Sequence, residues 1–167
     1  MFNFSQKKNK ISAEEMASGL MLIIEKANEG ELPNDADGNI IFNKHEQSLL
    51  FLTMIYNLLD KNNLNNIKLP LLSIFVQKYI KTDDPNDVLI EIAVIAEHVK
   101  KMNEYFSPSP LPPYEEYMKN IHDNFPFANK LDVSQTFNVN VWYHEHEKAI
   151  SSTFKSLLTK ISLKTDK

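Results

Sequence analysis

Two histidines and two glutamates stand together in the segment 141–148, which reads VWYHEHEK. In a β-strand alternate residues point to the same side, so His144 and His146 would share a face and could bind a metal ion such as zinc. A distant carboxylate would complete such a site and make the chain a metal-dependent hydrolase or a metal-binding protein. In a helix, residues two apart are separated by about 200° around the axis, and the two imidazoles could not share one ion.

The apolar spacing that follows favours the helix. Side chains repeat at intervals of four and three residues, at Ile150, Phe154, Leu157 and Ile161. Extended backward, this face includes Tyr143 and places His144 on the polar side. Glu145 and Glu147 would then lie in a first turn, where the helix dipole stabilises carboxylates. We therefore predict that the segment begins a helix, and we assign no residue as a catalytic, cofactor-binding or metal-binding group.

A second candidate for metal binding is the segment NDADGNIIFNK. With Gly38 at the sixth position of a calcium-binding loop, Asp35 and Asp37 fall at the third and fifth ligand positions. The first position is Pro33 and the twelfth is Lys44, so two important ligands are missing. Aspartates around a glycine are also typical of a tight turn. We predict a turn and keep calcium binding as an alternative.

The two candidate segments must be positioned by helices, and the starts of three helices can be recognised from capping residues. Ser12 and Asn43 each precede a glutamate by three residues, the pattern of a capping box, and Asp84 precedes a proline at the first helical position. The third of these helices carries a long apolar face, typical of packing in a bundle. Glu91 and His98 are seven residues apart on it and could face the same cleft, although we expect them near solvent.

The pattern predicts an all-α, single-domain bundle of five or six helices over residues 1–167. Residues 107–113 form a proline-rich connector, and the basic ends, 1–10 and 164–167, are expected to be frayed. Alternating apolar residues in TFNVNVW are typical of a strand, although 136–142 could also be helical. We therefore include a possible two-stranded ribbon of 39–42 with 137–141. We predict a loop over 123–135, just before the second of these strands.

Composition limits the class of protein. The chain has 167 residues and no cysteine, which excludes disulfides and thiolate sites and suits a cytoplasmic location. All 18 basic residues are lysine, and residues 11–147 carry ten of them against 21 acidic residues, which argues against a nucleic-acid partner. The longest uncharged run, Gln47–Leu59, is too short to span a membrane.

No catalytic motif is evident, and the aromatic residues outnumber those that the helix faces use. We expect these to pack loops onto the bundle or, in part, to line an exposed groove. The favoured hypothesis is a small soluble helical protein that acts by protein–protein interaction, as an adaptor, regulator or immunity-type partner, with a homodimer possible. The alternatives are the metal-dependent hydrolase using His144 and His146, and a helical bundle that binds a small ligand in an apolar pocket.

Overall fold

The computed structural model describes residues 9–30, 32–34, 37–39, 41–81, 84–127 and 131–163. Six helices make up most of this part of the chain: α1 (Ala13–Ala27), α2 (Lys44–Lys61), α3 (Lys68–Tyr79), α4 (Pro85–Phe106), α5 (Tyr114–Asn124) and α6 (Val133–Lys160). A 3-10 turn, Asn65–Ile67, leads into α3, and residues 107–113 connect α4 to α5. The predicted all-α bundle is therefore confirmed.

Local capping explains where the first helices begin. The side chains of Ser12 and Asn43 accept hydrogen bonds from the backbone N–H groups of Glu15 and Glu46, at 3.1 and 3.0 Å. Each glutamate accepts a bond in return from the backbone of its cap. The Asp84 side chain accepts from the backbone two residues on, at 2.8 Å. Because these bonds satisfy N–H groups that a helix leaves unpaired, the three predicted starts are confirmed.

The core is built around α2, which contacts α1, α3, α4 and α6. Its side chains from Leu49 to Ile55 are all buried, and all but Thr53 are apolar, as the sequence predicts for a central element. The inner face of α4 packs against it through Ile92, Ile95, Val99 and Met102. Buried apolar side chains from all six helices form one cluster, which fixes the position of α6 relative to the rest.

The predicted ribbon of 39–42 with 137–141 is wrong, because 137–141 lie inside α6. Asp132 and Gln135 form a third capping box, which starts the helix at Val133 and also replaces the last part of the predicted loop. In the helix, the alternation has no structural meaning: Val139 is fully buried while Phe137 is exposed. The capping residues and the packing of Val139 therefore override the local strand-like pattern.

A different pair of strands is present. β1 (Asn9–Ile11) and β2 (Ile161–Leu163) pair in parallel, with Asn9 opposite Ile161 and Ile11 opposite Leu163. Asn9 and Lys10 therefore have regular structure, contrary to the expectation that residues 1–10 fray. Residues 1–8 and 164–167 lie outside the described residues. Among the described helices, none is long and apolar enough to cross a lipid bilayer.

Candidate functional site

Helix α6 gives the two histidines of VWYHEHEK different neighbours. The Nε2 atom of His144 lies 3.3 Å from the Tyr117 hydroxyl, and its Nδ1 atom lies 3.3 Å from the Glu147 carboxylate. His146 instead stacks on Trp142 at 4.3 Å between ring centroids, and its Nδ1 donates to the Trp142 carbonyl oxygen at 2.8 Å. The predicted helical separation of the two imidazoles is therefore confirmed.

The predicted position of the segment within its helix is wrong. Because α6 begins at Val133, Glu145 and Glu147 lie in its middle and not in its first turn, so the helix dipole does not account for them. The pKa of Glu147 is lowered mainly by its hydrogen bond with His144. The sequence signal that could have located the true start is the pair Asp132 and Gln135, three residues apart.

Tyr117 is the centre of the polar contacts around His144. Its hydroxyl donates to the Phe106 carbonyl oxygen at 3.0 Å and accepts from the Asn140 side chain at 3.2 Å. Burial raises the pKa of Tyr117 to about 12. A hydroxyl with a raised pKa, whose proton is already donated to a carbonyl, is poorly suited to act as a nucleophile or base. This cluster therefore serves to join the end of α4 to α5 and α6.

The contact between Glu147 and His144 should make stability depend on pH. Because the folded-state pKa of Glu147 is below its usual value of 4.5, the contribution is present above that value and is lost as the pH falls through the folded-state pKa. In urea titrations, we expect the stability difference between wild type and Glu147→Gln to shrink from about pH 6 to about pH 3. Glu145→Gln is the matched loss of charge, and a pH-independent difference for Glu147→Gln would contradict the assignment.

A groove of about 330 Å³ brings titratable residues together from two helices. His45 and Glu46 come from the start of α2, and Glu91 and His98 come from α4, so the latter two do face one cleft. Burial, together with Lys101 and His45, lowers the pKa of His98 and favours its neutral form. Among the described residues, no group of three or more histidine, aspartate or glutamate side chains is placed to hold a metal ion.

The calcium alternative lies partly beyond what the structure describes, because Asp35 is outside the described residues. Asp37 is exposed, and Gly38 has a φ of 81°, a left-handed value that glycine adopts without strain. This backbone agrees with a tight turn at Gly38. Calcium binding stays an untested alternative.

Helix α4 carries an exposed apolar patch on the side opposite the core. We define the α4 patch as Leu89, Ile90, Ala93 and Val94. Leu89 is 62% exposed, Ile90 60% and Val94 53%, and Ala93 is also exposed. These residues are spaced at one, three and one positions, which places them on one face of the helix. At these positions the outer face of α4 is therefore apolar, where a surface helix is usually polar.

Helix α6 presents a second exposed face with two different halves. Its first half is apolar, with Val133 78%, Phe137 55% and Val141 39% exposed at intervals of four residues. Steps of seven residues continue this face to Lys148 and Lys155, which are both exposed. We call these five residues the α6 surface. It runs from an apolar end to a basic end along about 33 Å of helix.

The basic end of the α6 surface borders a groove of about 640 Å³ between α2 and α6. Lys148 and Lys155 line it together with Lys61, and polar groups come from Ser151 and Ser152. Its acidic lining residue, Glu147, is engaged by His144. The groove therefore presents a local positive charge on a chain whose central part is acidic, which suits an anionic group on a partner.

The surplus of aromatic residues is now explained for the most part by packing. Those that are buried form ring contacts between loops and helices, as for Phe42 with Phe125 and Trp142. Among the aromatic residues that the structure describes, Phe137 and Tyr114 are the exceptions, since both remain largely exposed. The surplus of aromatic residues in the sequence therefore indicated that some of them could be exposed, but not that Phe137 would be the one on the α6 surface.

Comparison of the chain with protein-family models, with curated proteins and with solved structures finds no match.

Proposed function

We propose that the protein acts by binding another protein through the α6 surface, in the manner of an adaptor, regulator or immunity-type partner. The observation that carries this proposal is the exposed line of Val133, Phe137 and Val141. Single exposed apolar residues are common, but a contiguous exposed patch costs free energy in water and often marks an interaction site. A cytoplasmic location, expected from the cysteine-free sequence, forms part of the proposal.

The halves of the α6 surface define the chemistry of the partner. An amphipathic helix could place apolar side chains on Phe137 and its neighbours and acidic side chains beside Lys148 and Lys155. Burial of apolar area would supply most of the affinity. The lysines would fix the direction of the bound helix and speed association at low salt, because charge complementarity acts mainly on orientation and encounter rate. The partner is therefore an acidic, amphipathic segment of another protein.

This proposal is preferred to the two alternatives on structural grounds. The hydrolase hypothesis needs His144 and His146 on one face, and α6 turns them toward different neighbours. The small-ligand hypothesis has no comparable observation in its support. Neither Tyr117 nor Glu147 is suited to act as an activated catalytic group beside the α6 surface. The pKa of Tyr117 is raised, and the Glu147 carboxylate is in contact with His144.

The proposal predicts that binding of the partner depends on both halves of the α6 surface. We would capture proteins from the host lysate with wild type, with Phe137→Ser and with the double variant Lys148→Glu, Lys155→Glu. We expect one captured protein to fall by about tenfold or more with each variant, since central interface residues dominate binding energy. Its recovery with wild type should also fall as salt is raised, because the lysine contacts are exposed.

Leu69→Ser is the matched control, because Leu69 is an exposed apolar residue on α3, away from this surface. It should leave the captured protein unchanged. Captured proteins that are recovered equally with all variants would contradict the proposal. Binding to anionic phospholipid vesicles that needs Phe137 and the two lysines, without any captured protein, would overturn it in favour of a lipid surface.

A further inference from the structure

We propose that the groove between α2 and α6 is a binding site for a small aliphatic phosphate monoester of the sugar phosphate kind. The groove has a volume of about 640 Å³, which is in the range of small-molecule sites. It shares Lys148 and Lys155 with the α6 surface, but Lys61, Ser151 and Ser152 lie outside that surface. The inference therefore goes beyond the proposed function and does not depend on a protein partner.

Three lysines of the groove keep their charge available for a ligand. Lys61, Lys148 and Lys155 are exposed, and within the described chain none of them forms an ion pair, whereas three other helical lysines each pair with a carboxylate. The pKa of Glu147 is lowered mainly by His144 and, to a smaller extent, by Lys61. The charge of Lys61 on α2 therefore acts across the groove on α6, and the positive groups of the two helices face a common space.

Two hydroxyl groups of the groove are also free to donate. On other helices the hydroxyls of Ser48 and Ser73 donate to the carbonyl oxygen four residues earlier, at 2.8 and 3.0 Å, and Thr153 of α6 does the same at 3.1 Å. Ser151 and Ser152 make no hydrogen bond of their side chains within the described chain. They can turn toward an anion without losing an internal bond. Ammonium and hydroxyl donors together are the groups from which phosphate oxygens accept.

The charge of the groove matches a single phosphate monoester. Three lysines against Glu147 leave two net positive charges, and a phosphate monoester carries about −1.5 to −2 near neutral pH. A carboxylate has one charge and two oxygens, so it would leave donors of the groove unused. A nucleic acid would bring further phosphates against a chain whose residues 11–147 carry ten lysines and 21 acidic residues. An isolated phosphate group is therefore the best fit.

The remaining lining residues select the organic part of the ligand. Among the described residues that line the groove none is aromatic, so a nucleobase would find no ring to stack on. The Asn62 amide donates to the Leu58 carbonyl oxygen at 2.7 Å, which leaves its own oxygen to accept, and His144 contacts one of the two oxygens of Glu147. These acceptors suit the hydroxyl groups of a polyol. The apolar stems of the lysines offer contact to its carbon atoms.

Titration followed by the backbone amide NMR signals of isotope-labelled protein tests the site, with glucose 6-phosphate as the probe. We expect saturable shifts concentrated at residues 58–62 and 147–155, with a dissociation constant of about 1 mM or below. Glucose lacks the charge and inorganic phosphate lacks the polyol, so each should bind about tenfold more weakly or worse. The absence of saturable shifts with glucose 6-phosphate, or binding of glucose or inorganic phosphate as tight as that of the probe, would overturn the proposal.

Variants of the groove test which residues hold the probe. Lys61→Gln should raise the dissociation constant by about tenfold, because it removes a charge-assisted hydrogen bond, and the double variant Ser151→Ala, Ser152→Ala should raise it by about threefold. Lys100→Gln is the matched loss of charge on α4 and should bind like wild type. Phe137→Ser should also bind like wild type, so failure of the proposed partner binding and failure of this site are distinguishable. Unchanged binding by Lys61→Gln, or an equal loss for Lys100→Gln, would overturn the proposal.

Discussion

Replacing Phe106 with alanine is expected to lower the free energy of unfolding by about 3–5 kcal/mol. The Phe106 ring is fully buried, stacks on Tyr143 at 4.2 Å between centroids and meets Phe125 edge-on at 6.2 Å. Its loss would leave a cavity where α4, α6 and the end of α5 meet. Chemical denaturation with urea measures the effect, and for a protein of this size the melting temperature should fall by about 6–20 °C.

Phe137→Ala is the matched control for this substitution. It removes the same ring from an exposed position, so we expect a change within about 0.5 kcal/mol. Equal losses at the two positions would mean that the Phe106 ring is not part of the core. The pair of variants therefore separates the contribution of the ring from that of its burial.

Replacing Gln47 with methionine is expected to raise the free energy of unfolding by about 1–3 kcal/mol. The Gln47 side chain is fully buried in α2, and neither its amide nitrogen nor its amide oxygen has a hydrogen-bond partner among the described residues. A buried polar group without a partner loses its hydration and gains nothing in return. Methionine has a similar shape without the amide, so it keeps the packing and removes the cost. Thermal and urea denaturation would measure the gain.

The control is Gln77→Met, which changes the same residue type at an exposed position on α3. Its effect should stay within about 0.5 kcal/mol. A loss of stability for Gln47→Met would contradict the prediction and show that the amide is hydrogen-bonded in solution.

The elements whose signals are local were predictable from the sequence. The capping residues Ser12, Asn43 and Asp84 mark real helix starts, because a cap needs only a side chain and the three backbone groups that follow it. The inner face of α4 was also predictable, since its apolar residues keep the helical period over five turns. These features depend on neighbours in the chain and need no knowledge of the rest of the fold.

Long-range features were not predictable in the same way. β1 and β2 are three residues each and come from opposite ends of the described chain, so neither has a pattern that names its partner. The strand predicted at 137–141 failed because packing of Val139 against the core decides the conformation there. Alternation of apolar and polar residues is weak evidence for a strand when a helix-capping residue such as Asp132 stands a few positions before it.

The candidate surfaces were only partly visible in the sequence. Around the α4 patch nearly every residue is apolar, so the sequence predicts the buried face of α4 but does not show that Leu89 and Ile90, which lie off that face, stay exposed. Burial depends on where α2 and α3 lie, which is a property of the assembled bundle. Lys148 and Lys155 of the basic end of the α6 surface can be read from the sequence, but the contribution of Lys61 from α2 requires the fold.

The parallel pairing of β1 with β2 also determines how the protein responds when it is stretched by its two ends. A pull on the N-terminal side draws β1 backward from Asn9, while a pull on the C-terminal side draws β2 forward from Leu163. Because the strands run in the same direction, the two forces slide them past each other and load their hydrogen bonds together. The six helices lie between these strands in the chain. The short sheet is therefore a mechanical clamp that must shear before tension reaches the helices.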